Sequence, residues 1–284
     1  MVSALYTVTD YPLDLGHPVF AQYPAMKFGH RPSTLHYARA LAPLAMRIVQ
    51  DAPPENRRWV LTSAPREGLP CGAALISRAL HGILRNALPD DYDLRFDFFS
   101  VMRPRAPIAD PDEFRRRYEY SRMDFQSRQS IWPDRDREAQ YDLAVFRNRR
   151  VLFVNDINVT GSQLGAVTAV MEKAPAASLD FLMIVDVAPE IGRAHAHLEN
   201  DINSSGINTA EALTAYLRDA DFECTSRLVS RLMAHDEAAL DRIFAALPPA
   251  RRRLLYGAIS TEHAYRGDYF AGKRRAVERR ALAG

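Results

Sequence analysis

The segment VLFVNDINVTGSQL, Val151 to Leu164, constrains the chain more than any other. The apolar run Val151-Leu152-Phe153-Val154 reads as a strand buried on both faces, the pattern of a parallel sheet rather than of a half-exposed one. Asn158-Val159-Thr160-Gly161-Ser162 then turns, and GSQLGAVTAVMEKA continues at helical spacing. A buried strand that ends in Asn-Asp and runs straight into a helix sets polar groups at the carboxyl edge of a sheet, where α/β proteins bind their ligands.

The rest of the first two hundred residues alternates in the same way. RWVLTSAP is a short apolar run stopped by proline, and GLPCGAALISRALHGILRNAL after it is helical. YDLRFDFFSVMRPRA and LDFLMIVDVA read as further strands. STLHYARALAPLAMRIVQ predicts a helix capped by Ser33, with Pro43 as a point of kinking. These elements predict an α/β fold: a mostly parallel sheet with helices on both faces. Beyond Gly206 the segments NTAEALTAYLRDA, CTSRLVSRLMA, DEAALDRIFAAL and PARRRLLYGAI each carry helical periodicity, followed by the basic KRRAVERRALAG. The predicted organisation is therefore a core over 1–205 and a helical region over 206–284. Within the core, the arginine-rich, aromatic stretch Arg103 to Arg137 is too long for a routine connection and is predicted to be an ordered excursion or a cover.

The strand end suggests a ligand. An amide and a carboxylate at Asn155 and Asp156 suit two vicinal hydroxyls, which a ribose presents. The turn aims several backbone N–H groups outward, Gly161 permits a left-handed conformation, and Thr160 and Ser162 add hydroxyls. The positive end of the following helix suits a phosphate. Ribose hydroxyls at one side and phosphate at the other describe a ribose 5-phosphate.

VLFVNDINVTGSQ resembles the phosphoribosyl pyrophosphate (PRPP) motif of the type I phosphoribosyltransferases. The resemblance implies their Rossmann-like core and places Asn155 and Asp156 on the catalytic acidic pair that holds the ribose hydroxyls. Asn158, Val159, Thr160, Gly161 and Ser162 then fall on the loop that holds the 5-phosphate. LTSAPREGLPCGAALISRAL resembles the family's early strand, loop and helix, about 90 residues earlier, and places Pro65, Arg66, Glu67 and Gly68 on the pyrophosphate. The family's hood over the acceptor would draw on Tyr23, Lys27, Phe28 and His30, and its lid on Tyr118, Arg122, Arg128 and Ser130. FAQYPAMKFGHRPSTLHYARALA and HLENDIN are similar to the phosphoribosyltransferase-like proteins of bacterial tellurium-resistance and stress operons. Phe20 to Asn203 is covered by these likenesses.

The activity implied is a pentosyltransferase reaction, moving phosphoribose from PRPP to a nucleobase-like or other heterocyclic acceptor with release of pyrophosphate. Mg²⁺ is the implied cofactor, carried with PRPP and touching Asp156, and a homodimer is compatible with the family. Asn155 stands where the family has an acid, which motivates the alternative of a regulatory protein that binds PRPP or a nucleotide without turnover.

Other classes find less in the sequence. Cys71 and Cys224 are far apart and outside any metal-ligand spacing, so a reduced, cytoplasmic setting is expected. The first residues, MVSALYTVTDYPLDLG, lack the pattern of a signal peptide, and no apolar run approaches a membrane span. A formal net charge of +2 argues against a nucleic-acid partner despite the arginine clusters. SAPREGLPCGAA lacks the G-x-G-x-x-G spacing of a dinucleotide site. His195 and His197 with Glu199 lack a further ligand for a metal, and Cys71, near a helix start, reads as a small buried residue.

Overall fold

The computed structural model describes residues 1–53, 57–64, 67–101, 105–118, 123–124, 126–127, 141–204 and 206–283. Their strands are β1 (Val2–Val8), β2 (Arg58–Thr62), β3 (Asp93–Phe96), β4 (Arg150–Asn158) and β5 (Ser178–Val187). They form one sheet in the order β1-β5-β4-β2-β3, and every neighbouring pair is parallel. The helices of this part are α1 (Tyr23–Lys27), α2 (Arg31–Gln50), α3 (Gly72–Ala87), α4 (Pro111–Tyr118), α5 (Ser162–Lys173), α6 (Pro189–Ala194) and α7 (Leu198–Ser204).

Strand alternation distributes the core. Leu152 and Val154 of β4 pack with Trp59, Leu61, Leu182 and Ile184 against α2 and α3 on one face. Val151 and Phe153 pack with Val60, Phe181 and Met183 against Val167, Val170 and Met171 of α5 on the other. Each of these β4 side chains is wholly buried, and burial of one such side chain stabilises the fold by about 1.5–3 kcal/mol. The parallel α/β sheet predicted from the apolar runs is thus the observed architecture.

Local details differ from the sequence reading. β1 was not foreseen: it lies at the sheet edge beside β5, and most of its residues are only partly buried. β3 keeps just Asp93–Phe96 of the longer predicted run, although Phe99 beyond it is buried in the α5-side core. α2 begins at Arg31 rather than after Ser33, with Pro32 in its first turn, where a missing N–H costs nothing.

The connection order creates a crevice. From β2 the chain passes through α3 to β3 on one side, then resumes at β4 on the other side of β2. The carboxyl ends of β2 and β4 therefore flank a topological switch point.

The helical region comprises α8 (Ala210–Asp219), α9 (Ser226–Met233), α10 (Glu237–Ala245), α11 (Pro249–Thr261) and α12 (Ala271–Leu282). They share a second core that also takes in Phe28, Ile108 and Phe114 from the first part of the chain. Backbone bonds stitch it to the end of α1: Arg31 N–H donates to Asp221 O at 2.9 Å and Glu223 N–H to Gly29 O at 3.0 Å. Thr225 Oγ1 donates to Lys27 O at 3.0 Å, and Tyr216 Oη to Phe28 O at 3.2 Å. Gly29 sits in the left-handed region at φ +85°, and a Cβ there would lie 2.0 Å from Glu223 O, so glycine alone fits this joint.

Candidate functional site

β4 runs on through Asn158, so Asn155 and Asp156 lie within the strand and not beyond its end. A strand's side chains alternate, so the two point to opposite faces and do not stand side by side. Asn155 follows Val151 and Phe153 toward α5, where its Nδ2 donates to Gln163 Oε1 at 3.1 Å and to Ile157 O at 3.0 Å. Asp156 follows Leu152 and Val154 toward α1. There Oδ2 accepts from Tyr23 Oη at 3.0 Å and pairs with Lys27 Nζ, while Oδ1 accepts from Ile157 N–H at 3.0 Å. Both residues are buried, at 2% and 6% exposure.

Tyr23 and Lys27 reach one carboxylate because they are four residues apart on α1 and share a face. That spacing is a local signal for a common partner, although nothing local names Asp156. Burial first, then the charge of Asp156, holds the Tyr23 phenol well above its usual value, so it remains a donor. The Lys27 side chain is 16% exposed.

At the end of β4 the Asn158–Ser162 loop holds itself in shape. Asn158 Oδ1 accepts from Gly161 N–H at 3.0 Å, and Asn158 Nδ2 donates to Asp186 Oδ1 on β5 at 2.7 Å. Thr160 Oγ1 donates to Ser162 Oγ at 2.9 Å. Gly161 caps α5 in the left-handed region at φ +75°, and a Cβ there would meet nothing within 4 Å. Backbone conformation, and not crowding, therefore requires glycine here. The first intrahelical bond is Gly165 N–H to Gly161 O at 2.9 Å, so the N–H groups of Gln163 and Leu164 precede the helical ladder.

Behind the loop, a Cβ on Gly192 of α6 would lie 1.6 Å from Val159 O. Sequence reasoning passed over this residue. A glycine inside a short helix was the available signal, because Gly is disfavoured there unless another backbone comes close.

Across the crevice, the loop after β2 rests on the helical region. Glu262, 5% exposed at the end of α11, accepts from Leu69 N–H at 2.6 Å and lies against Gly68. Glu67 pairs with Arg105, whose carbonyl bonds His263 Nδ1 at 2.9 Å, and Ser226 N–H donates to Pro70 O at 3.0 Å. Burial pushes the Glu262 carboxyl above the usual carboxylate range, with the Glu67 charge adding to it. A raised carboxyl is one whose folded state holds its proton longer, so its contribution to stability falls as pH rises from about 4.3 through the raised value. Glu262→Gln keeps an oxygen acceptor and removes the buried charge. The stability difference between wild type and this variant, read by urea unfolding, is expected to shift toward the variant as pH rises across that window. A difference that does not change with pH would rule out a raised carboxyl. Glu262→Ala leaves Leu69 N–H without its acceptor and is expected to cost about 1–3 kcal/mol.

No family model matches the chain, and no curated protein matches it. Among solved structures it is similar to a hypoxanthine phosphoribosyltransferase from Staphylococcus aureus. In the tetragonal form of that enzyme the identity is 18% with a TM-score of 0.31, over 56% of this chain and 66% of the other, just under two thirds of its length. In the orthorhombic form the identity is 15% with a TM-score of 0.29, over 59% of this chain and 84% of the other. Superpositions this loose carry no argument about the site, which rests on its own residues.

Of the residues predicted to form a hood, Tyr23 and Phe28 are core residues here. Tyr23 is fully buried against Asp156, and Phe28, 3% exposed, packs beside Tyr216 with ring centroids 6.0 Å apart. His30 bonds Ser33 Oγ through Nδ1 at 2.7 Å and meets the edge of Tyr216. Lys27 and His30 are the members of the set that stay partly open. Pro65, Arg66, Arg122, Arg128, Ser130 and the side chain of Tyr118 lie outside the described residues. Cys71 caps α3 close to Asp156, and burial, then that charge, pushes its thiol up rather than down. His195 stacks on Tyr11 at 3.7 Å between ring centroids, and His197 Nε2 faces Asp201 at 3.7 Å.

The donor set does not fit Mg²⁺. This cation takes oxygen ligands, usually one or two carboxylates. Both Asp156 oxygens are engaged, one of them by an ammonium, and its neighbour Asn155 is neutral. Among the described residues no three of His, Cys, Asp and Glu gather closely enough to hold a metal. None of the described helices is long and apolar enough to cross a membrane.

Proposed function

We propose that the crevice binds PRPP and transfers its phosphoribose to a nucleobase-like or other heterocyclic acceptor. One observation carries the reading: the self-braced Asn158–Ser162 loop with its left-handed Gly161, at the carboxyl end of a central parallel strand and at the start of α5. Such a loop suits a 5-phosphate, met by the early N–H groups of α5 and the hydroxyls of Thr160 and Ser162. Asn155 and Asp156 set the ribose end from the two faces of β4, Asp156 by fixing Lys27 there. Pro65, Arg66, Glu67 and Gly68 are the proposed pyrophosphate side, of which Gly68 lies against Glu262.

In the transfer, the bond from the anomeric carbon to pyrophosphate breaks, the acceptor nitrogen bonds that carbon and gives up its proton to water, and pyrophosphate leaves with the bonding electron pair. The protein's part is to hold phosphate and ribose in line and keep cationic donors where negative charge develops. No step is routed through Mg²⁺, which the described residues do not fit. A second reading follows from the same geometry: with Asp156 tied to Lys27 and Tyr23, the carboxylate at this position is already engaged, which favours a regulatory PRPP or nucleotide site without turnover. The likeness to proteins of tellurium-resistance operons remains one of two segments, which fold as α1, α2 and α7 with their flanks.

Calorimetric titration of PRPP into the full chain tests the binding reading. The double variant Thr160→Val/Ser162→Ala removes two phosphate donors from partly exposed positions and is expected to weaken binding about tenfold, roughly 1.4 kcal/mol. Folded wild type that binds neither PRPP nor ribose 5-phosphate would overturn the reading. Pyrophosphate release across a panel of purines, pyrimidines and other heterocycles separates the transferase from the regulator.

A further inference from the structure

We propose that Lys27 is the built-in counter-cation of this site, so that ribose phosphates bind without a divalent metal. The inference rests on the ribose-phosphate reading and adds how the ligand's charge is met.

The arrangement of charge makes the case. A divalent cation beside Asp156 would need anionic oxygens, and both oxygens of that carboxylate are already engaged: Oδ1 by Ile157 N–H, and Oδ2 by Tyr23 and Lys27. The adjacent position, Asn155, carries no charge and turns its amide toward α5. Lys27 and Asp156 together are neutral, so the pair offers a metal no net attraction, and the ammonium already stands where a cation would approach the carboxylate.

Lys27 is also placed to serve. An ammonium has three donors, and among the described residues Asp156 is the acceptor it meets. Its side chain is neither sealed nor free in solvent. The backbone beneath it is pinned from the helical region, where Thr225 Oγ1 donates to Lys27 O at 3.0 Å and the Gly29 joint follows two residues on. Asp156 and Tyr23 thus hold the ammonium in one place, leaving donors for the ligand's hydroxyl or phosphate oxygens.

Calorimetry with ribose 5-phosphate, which carries no pyrophosphate to chelate a metal, is the direct test. Titrations of the full chain in EDTA and in millimolar Mg²⁺ are expected to give affinities within about twofold of each other. Lys27→Met is expected to lose about tenfold in EDTA and to regain part of that loss with Mg²⁺, because the carboxylate is then released for a metal. If Lys27→Met does not fold, the neutral pair Lys27→Met/Asp156→Asn replaces it, with the loss but no metal rescue expected. A wild type whose affinity rises tenfold or more with Mg²⁺ would overturn this inference and leave the ribose-phosphate reading standing. Unchanged affinity in the folded Lys27 variant would do the same, as would a Lys27→Met protein that stays equally weak with metal. Folded wild type that ignores the ligand under both conditions would overturn both.

Discussion

Asp156→Ala is expected to destabilise the protein by about 3–5 kcal/mol, the range for removing one partner of a buried ion pair. The loss is more than a salt bridge. Without the carboxylate, the ammonium of Lys27 keeps a largely buried position with no counter-charge, and the buried Tyr23 hydroxyl loses its acceptor. Urea unfolding reads the change as a lower midpoint, and a loss under about 1 kcal/mol would show that the pair contributes little. The double variant Lys27→Met/Asp156→Asn leaves no charge behind and keeps one oxygen, which serves Tyr23 with the loss of the bond from Ile157 N–H. It is expected to recover most of the loss, and with the single variants Lys27→Met and Asp156→Asn it closes a cycle whose coupling energy lies well above the roughly 0.5 kcal/mol scatter of independent sites. The same cycle separates fold from function, since a neutral pair that folds well but binds ribose 5-phosphate poorly assigns the charge to the ligand.

Gly192→Ala is the second large expectation. The added methyl would stand 1.6 Å from Val159 O and 2.7 Å from its carbonyl carbon, and both atoms are backbone. No rotamer relieves such a contact, so either α6 withdraws or the Asn158–Ser162 loop is pushed toward the crevice. Overpacking of this kind costs about 1–3 kcal/mol, and the backbone identity of both partners puts it at about the upper end. Ligand affinity is expected to fall by more than the change in stability implies, because the loop that moves is the proposed phosphate holder. Gly165→Ala on α5 is the control: a Cβ there meets nothing within 4 Å, and helix propensity predicts a small gain. Equal behaviour of the two variants would refute the role of Gly192 as a backing for the loop.

What the sequence made legible follows from how local each signal is. β4, β5, α3 and α5 were readable because buried apolar runs and helical periodicity are properties of neighbouring residues, and the turn at Gly161 declared itself by composition. β1 escaped because an edge strand with one sheet neighbour needs no long apolar run. At the site, the loop was read correctly as a turn into a helix. The relation of Asn155 to Asp156 was not, since the strand continues past them and sends them to opposite faces. Tyr23, Phe28 and His30 looked like aromatic platforms for a base. Their burial depends on Asp156 in β4 and on Tyr216 in α8, partners 133 and 188 residues from the residues they bond, and no window of sequence displays those. Glu262 was invisible for the same reason: its role is set by a backbone N–H 193 residues earlier.

The place of β1 in the sheet has a consequence for how the molecule comes into being. Its sheet partner is β5, and Val2 pairs with Phe181. During synthesis at about 5–20 residues per second, β1 therefore waits roughly 10–40 seconds for the strand that completes its hydrogen bonds. Throughout that interval the nascent chain carries a short segment, broken by the polar Ser3 and Thr7, whose backbone groups are bonded to water and not yet to the sheet. A more apolar sequence there would have been a hazard for sticking to other chains, so the weak pattern that hid β1 from sequence reading also keeps it harmless while it waits.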